Sequence, residues 1–140
     1  MVSIPEADRD LFESTAFLTF VTLNRDGSPH PTPVWVGYDD GTGDDPWSGD
    51  REAILVNTTD ARQKYHNVVR DPRVAGTVID PEDPYRYCSF TGRVVETTTD
   101  GADAHIDALA NRYMGVEAYP NRGDEAGTRV IFRVEPSAVF

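Results

Sequence analysis

The sequence predicts a mainly β domain, an antiparallel barrel with helices at its periphery. Three observations carry that prediction. Runs rich in aromatic and β-branched residues recur along the chain, beginning with Ala16-Phe17-Leu18-Thr19-Phe20-Val21-Thr22-Leu23. Short turns join most of them, such as Asn24-Arg25-Asp26-Gly27, where Asp-Gly supplies the left-handed backbone of a hairpin. The regular strand–helix–strand alternation of a doubly wound parallel sheet is missing. The chain of 140 residues reads as one domain, residues 1–140, long enough to bury a core.

Each element has a local reason. Residues 5–14 predict a short helix: Pro5 suits a first turn, and Ala7, Leu11 and Phe12 share a face. The first strand covers 16–23, and its hairpin partner covers 31–38. Pro31 and Pro33 within that partner require an edge or a bulge, because proline donates nothing to a ladder. Residues 39–51, rich in Asp and Gly, predict an exposed loop, and 53–57 another strand. Thr59 or Asp60 then caps a helix reaching about Arg70, with Ala61, Tyr65, Val68 and Val69 as its apolar stripe. Asp71-Pro72 ends it. Residues 73–80 form a strand, and 85–98 a long strand kinked near Gly92. A second helix starts at Asp100 or Gly101 and reaches about Met114, with Ile106, Leu109, Ala110 and Tyr113 facing inward. A loop over 115–127 leads to a closing strand over 128–134. The tally is about six strands and three helices.

Charge narrows the function classes. Acidic residues outnumber basic ones 24 to 13, a formal net charge of -11. Such a surface repels nucleic-acid backbone and anionic lipid, so neither is expected as a partner. Asp exceeds Glu, Arg far exceeds Lys, and Lys64 is the only lysine. That balance reads as adaptation to high salt, the halophilic pattern, against the plainer alternative of an ordinary acidic protein. The single cysteine, Cys88, forms no internal disulfide. The first ten residues lack the apolar run of a secretory signal, and no stretch nears the roughly 20 apolar residues that span a bilayer. The expected location is the cytoplasm.

The stretch richest in chemistry is Asn57-Thr58-Thr59-Asp60-Ala61-Arg62-Gln63-Lys64, where a strand ends and a helix begins. Unpaired amides at a helix start attract anions. Thr58 and Thr59 carry hydroxyls for phosphate oxygens, Arg62 offers a two-pronged donor and Lys64 a compact charge. The alternative is that Arg62 and Lys64 merely solvate a surface helix. A lysine kept here, in a chain without any other, weighs against it. A second candidate is the segment holding Pro33, Val34 and Trp35, where prolines leave edge groups free for a planar ligand; core packing of Trp35 is the competing reading. The third is Tyr85-Arg86-Tyr87 with Ser89, which lines a pocket or else forms a barrel exterior or dimer contact.

Other chemistries find little support. The sequence has no glycine-rich phosphate loop and no dinucleotide fingerprint. His30, His66 and His105 stand far apart, and no Cys/His cluster predicts zinc. His66 and His105 read as residues without a role, and Cys88 as packed rather than nucleophilic. A chain this poor in acid–base candidates suits an enzyme whose cofactor carries the reaction.

The order of these motifs resembles the pyridoxamine 5'-phosphate oxidase-like split-barrel superfamily. The resemblance runs through Arg25-Asp26-Gly27-Ser28-Pro29, then Pro31 to Trp35, then Asn57-Thr58-Thr59 with Lys64, then Arg70-Asp71-Pro72-Arg73-Val74. Further on, Asp83-Pro84-Tyr85-Arg86-Tyr87, Gly92-Arg93-Val94, Arg112-Tyr113-Met114-Gly115 and Tyr119-Pro120 resemble its branch of deazaflavin-dependent oxidoreductases, which use coenzyme F420. The resemblance implies a six-stranded antiparallel split β-barrel of the FMN-binding type and an obligate homodimer with two cofactor sites at its interface. It implies that Pro33, Val34 and Trp35 lie along the tricyclic ring. It also implies that Asn57, Thr58, Thr59, Arg62 and Lys64 hold the ribityl chain and phosphate, and Tyr87 joins the expected cofactor-binding set. Gln63 stands where flavin-binding relatives carry a second basic residue, and the chain lacks their C-terminal basic and aromatic segment. Vitamin-B6 oxidation is therefore not expected.

The expected activity is hydride transfer between F420 and an unsaturated small molecule, with a proton from Tyr87, Tyr113 or solvent. No side chain is assigned as catalytic, and no metal is expected. Two alternatives keep the fold: an FMN-dependent flavoprotein oxidoreductase, and a non-enzymatic flavin or haem carrier. An oligonucleotide-binding barrel fits the strand count but not the acidic charge.

Overall fold

Strict alternation of inward and outward residues builds the sheet. Along Arg73–Ile79 the buried positions are Val74, Gly76 and Val78, and along the first half of Tyr87–Thr98 they are Cys88, Phe90, Gly92 and Val94. The protein is described here by a computed structural model covering residues 2–140; Met1, the first residue of the acidic N-terminal segment, lies outside the described residues. A 3-10 helix, Glu6–Glu13, precedes strands β1 (Leu18–Leu23), β2 (Pro29–Val34), β3 (Gly37–Asp39) and β4 (Ala53–Thr59). Helix α1 (Gln63–Arg70), β5 (Arg73–Ile79), β6 (Tyr87–Thr98), α2 (Ala102–Met114) and β7 (Arg129–Val139) follow. The strands form one antiparallel sheet in the order β2-β1-β5-β6-β7-β4-β3, curled around a core that includes Phe12, Phe20, Phe90 and Phe132. This is the mainly β split-barrel fold that the sequence implied.

The strand count is seven rather than six. The expected strand over 31–38 breaks at Trp35 and Val36, and the cause lies on α2. The Val36 amide donates to the Tyr113 hydroxyl at 3.1 Å, and the Val36 carbonyl accepts from Arg112 Nη2 at 2.8 Å. Both backbone groups of Val36 are thus taken by side chains and leave the ladder. The prolines of β2 sit as an edge strand requires. Pro29, Pro31 and Pro33 pair with Leu23, Val21 and Thr19, so all three occupy alternate positions whose missing N–H would point away from β1.

The kink expected near Gly92 is a register shift between Thr91 and Gly92 in the β6–β7 pairing. A Cβ on Gly92 would stand 2.4 Å from the Glu135 carbonyl oxygen, so the close strand approach demands glycine there. The closing strand β7 runs to Val139, beyond the expected 134, because β6 offers partners along its whole length.

Three further expectations are corrected. Neither Thr59 nor Asp60 caps α1. Thr59 stays in β4 opposite Arg129, and Asp60 Oδ1 accepts from the Thr128 amide at 2.9 Å, so strand pairing has claimed both residues. The helix begins at Gln63 without a side-chain cap, and its buried face is Lys64, Asn67 and Val68 rather than a stripe through Ala61 and Val69. The loop expected to be exposed over 39–51 is so from residue 40 onward, apart from half-buried positions, but Asp39 at its start belongs to β3 and is buried. Its carboxylate accepts from Gly41 and Gly49 amides and from Arg133 Nη2, each at 2.8 Å. His105, read as idle, is 2% exposed on the inner face of α2. Among the described residues no helix is long and apolar enough to cross a membrane.

Two measurements check these contacts. Asp39→Ala leaves the Arg133 guanidinium buried without its partner, and a loss of about 3–5 kcal/mol in urea unfolding is expected. His105 is held neutral: burial pushes its pKa down to about 4 from 6.5, and Arg112 adds to the shift. The unfolded chain therefore binds more protons between those values. The stabilisation from this residue is complete above about pH 6.5 and is lost toward pH 4, on the order of 3 kcal/mol. His105→Gln should flatten the fall in unfolding free energy across that window.

Candidate functional site

The break between β2 and β3 opens a cleft. Its volume is about 390 Å³, and it runs from the end of β2 across β4 to the start of α1. Pro33, Val34 and Trp35 line it together with Asn57 and Thr58 of β4 and with Arg62 and Lys64 at the start of α1. The fold thus brings together seven residues that the sequence singled out, from two separate segments. Two others stand apart from the lining. Thr59 is 1% exposed, turned inward, and its Oγ1 has no hydrogen-bond partner. Tyr87 opens β6 opposite Ile79, on the outer face of the sheet.

The far end of the cleft is a concentration of positive charge. Arg62 is the N-cap residue of α1, and Lys64 lies in its first turn, which contains no acidic residue. Among the described residues neither cation has a carboxylate within ion-pairing distance. Lys64 is 7% exposed, and burial together with the Arg62 and Arg129 charges holds its ammonium below the usual lysine range. A nearly buried ammonium without a counter-charge is costly, and cations at a helix N-terminus oppose its dipole. An anion placed there reverses both effects.

Asn57 has a different use from the one expected of it. Its Nδ2 donates to the Ala102 carbonyl and meets His105 Nδ1, both at 3.0 Å, and its Oδ1 accepts from Arg129 Nη1 at 3.2 Å. It lines the cleft while its polar atoms hold α2, β4 and β7 together. Arg129 also donates from Nε and Nη2 to the Glu125 carboxylate and packs over the Tyr119 ring, 4.6 Å from its centroid.

The opposite wall is apolar. Trp35 stacks on Tyr113, with ring centroids 5.1 Å apart and planes 7° from parallel, and meets Tyr119 edge-on at 6.1 Å. Phe17 and Met114, both about half exposed, complete the rim. Tyr113, one of the expected proton sources, is otherwise committed: its hydroxyl donates to the Ala16 carbonyl at 2.5 Å and accepts from Val36. Phe17, Ile106, Met114, Asn121 and Arg129 line the cleft without having been read as site residues. Nothing near Arg129 in sequence marks it, since a strand-opening arginine is common; only its register opposite Thr59 brings it there.

The cleft and fold can be set beside known proteins. A structure named F420 reductase matches with 32% identity over 98% of both chains and a TM-score of 0.77. A conserved hypothetical protein from Mycobacterium tuberculosis matches with 25% identity over 99% of this chain and 84% of its own, at a TM-score of 0.69. The haem storage protein HutZ from Vibrio cholerae shares the fold alone, with 12% identity over 99% of this chain and 94% of its own, at a TM-score of 0.63. No curated protein matches the chain. The family model described as pyridoxamine 5'-phosphate oxidase matches residues 4–140. Through nearly its whole length, the chain belongs to the pyridoxamine 5'-phosphate oxidase family.

Proposed function

We propose that this chain is an oxidoreductase that binds coenzyme F420 in the cleft beside Pro33, Val34 and Trp35. The observation that carries the reading is one pair of side chains: Arg62 and Lys64, unpaired with any acid among the described residues, at the end of a cleft edged by a proline-bearing strand. The donor set fits a phosphate. A guanidinium, an ammonium and the uncapped start of α1 converge at one end, and Thr58 adds a hydroxyl.

When bound in reduced form, the deazaflavin supplies a hydride to an unsaturated small molecule. The chain's own residues bind, orient and exclude water. Arg62 and Lys64 hold the anionic tail. The free outer edge of β2, kept from further strand pairing by its prolines, borders the ring. Phe17, Trp35 and Met114 wall the reacting face against solvent. The Tyr113 hydroxyl keeps its proton on the Ala16 carbonyl, and burial holds its pKa above the ordinary tyrosine value. The proton that completes the reduction comes from water. Flavin mononucleotide shares the ring, ribityl and phosphate pattern and is the alternative ligand of the same cleft.

We place the site in a homodimer. On β1, β5 and the first half of β6, as far as Arg93, the outward positions are Thr19, Val21, Leu23, Arg73, Ala75, Thr77, Ile79, Tyr87, Ser89, Thr91 and Arg93. None is acidic, on a chain of net charge -11. An acid-free face with half-exposed Ile79 and Tyr87 is the surface such a chain would cover with a second copy. Tyr87 then faces the partner rather than its own cleft.

Titration of the purified protein with F420 and with flavin mononucleotide, in high salt, tests the cofactor assignment; F420 is expected to bind more tightly. Absence of binding by both would remove the proposal. Lys64→Ala should weaken F420 binding by about 1.5–3 kcal/mol with the fold intact, because a charge-assisted contact is lost. Ala75→Glu puts a charge at the centre of the outer face, and sedimentation should then report a monomer.

A further inference from the structure

We propose that Arg129 is a third anion-binding residue of the cleft, aimed by the buried His105–Asn57 pair behind it, with Glu125 as the internal carboxylate that competes with a ligand for its charge. This rests on the reading of the cleft as a phosphate site. His105 and Asn57 are 48 positions apart and Asn57 and Arg129 are 72 apart, yet they form one chain of contacts. Its starting point is the neutral imidazole. With Nδ1 unprotonated it accepts from Asn57 Nδ2 at 3.0 Å, and the Ala102 carbonyl takes the second amide hydrogen at the same distance. Both acceptors lie on one side of the amide, so the NH₂ group must face them. The Oδ1 therefore faces β7, where it accepts from Arg129 Nη1 at 3.2 Å.

That contact fixes one corner of the guanidinium. Glu125 takes two more of its hydrogens, from Nε and Nη2. A guanidinium has five N–H donors, so two remain. Arg129 lines the same cleft as Arg62 and Lys64, and its charge is among the causes that hold the Lys64 ammonium down. The Arg129–Glu125 pair is itself nearly buried, at 7% and 11% side-chain exposure. An incoming phosphate takes the two free donors and meets the negative charge of Glu125 on the same guanidinium. The loop that carries Glu125 is tied to α2 through Asp107, which accepts from the Tyr119 amide and from Arg122, through the Asp103 carbonyl, which also accepts from Arg122, and through Asn111, which donates to the Val116 carbonyl.

The test uses the full chain and three probes: F420, the phosphate-free deazaflavin core, and inorganic pyrophosphate. Arg129→Gln should weaken F420 about tenfold and leave the core unchanged, with a shallower dependence of affinity on salt. His105→Leu should weaken F420 in the same selective way, and His105→Gln, whose side-chain oxygen can still accept from Asn57, should restore it. Glu125→Gln should tighten F420 severalfold, whereas a purely structural ion pair would give a loss. Unchanged F420 affinity in Arg129→Gln, an equal loss of the core, or weakening in Glu125→Gln would overturn the assignment. Pyrophosphate separates this inference from the cofactor reading. If F420 fails to bind the parent but pyrophosphate raises its melting temperature more than that of Arg129→Gln, the cofactor reading falls and the anion role stands. Equal stabilisation of both would sink the anion role.

Discussion

The arrangement of this domain depends on the capture of one residue's backbone. Val36 gives its amide to Tyr113 and its carbonyl to Arg112, and a strand that would otherwise run unbroken is divided there. A buried backbone group needs a partner, and side chains from α2 supply it where the ladder does not. The same two residues extend the stitching. Arg112 also donates to the carbonyls of Phe12 and Ser14, and Tyr113 to that of Ala16, so the N-terminal segment is tied to α2 as well. The cleft lies beside this break, lined there by Pro33, Val34 and Trp35.

A consequence is that the site is built by elements far apart in the chain, each held by its own buried polar contact. Asp39 and Arg133 anchor the long loop against β7. Asn67 on α1 donates to Thr22 and Asn24, fixing the helix that presents Arg62 and Lys64. His105 and Asn57 fix α2 against β4. Each is a satisfied polar group in an apolar setting, where geometry is strict because a lost partner is expensive. Arg62 and Lys64 differ: among the described residues neither has a carboxylate partner, and the domain tolerates a nearly buried lysine without one. The proposed anion site rests on that unpaired charge.

The acidic surface gives those cations added meaning. Thirteen basic residues stand against 24 acidic ones, and several arginines are already bound in pairs, including Arg86 with Asp10 and Asp80, and Arg73 with Asp71. On such a background, free positive charge is scarce, and most anions are repelled at long range. An anionic ligand that reaches this cleft is selected by shape and close contact rather than drawn by the overall field.

Local chemistry in the sequence determined the strands, the hairpin, the edge character of the proline strand, the kink at Gly92 and the extent of α2, because turn residues, β-branched runs and apolar periodicity act over a few neighbours. It also marked Asn57 to Lys64 as anion-ready, since a strand end, hydroxyls and the lone lysine all fall within eight positions. Only the tertiary structure decided that Thr59 and Asp60 serve strand pairing rather than a helix cap, that Val36 leaves the ladder, and that the Tyr113 hydroxyl is engaged with Ala16 and Val36. It alone brought Arg129 into the cleft and gave His105 a partner. Those outcomes turn on which distant group reaches a given donor or acceptor first, and cross-strand register and helix docking set that; no window of sequence contains it.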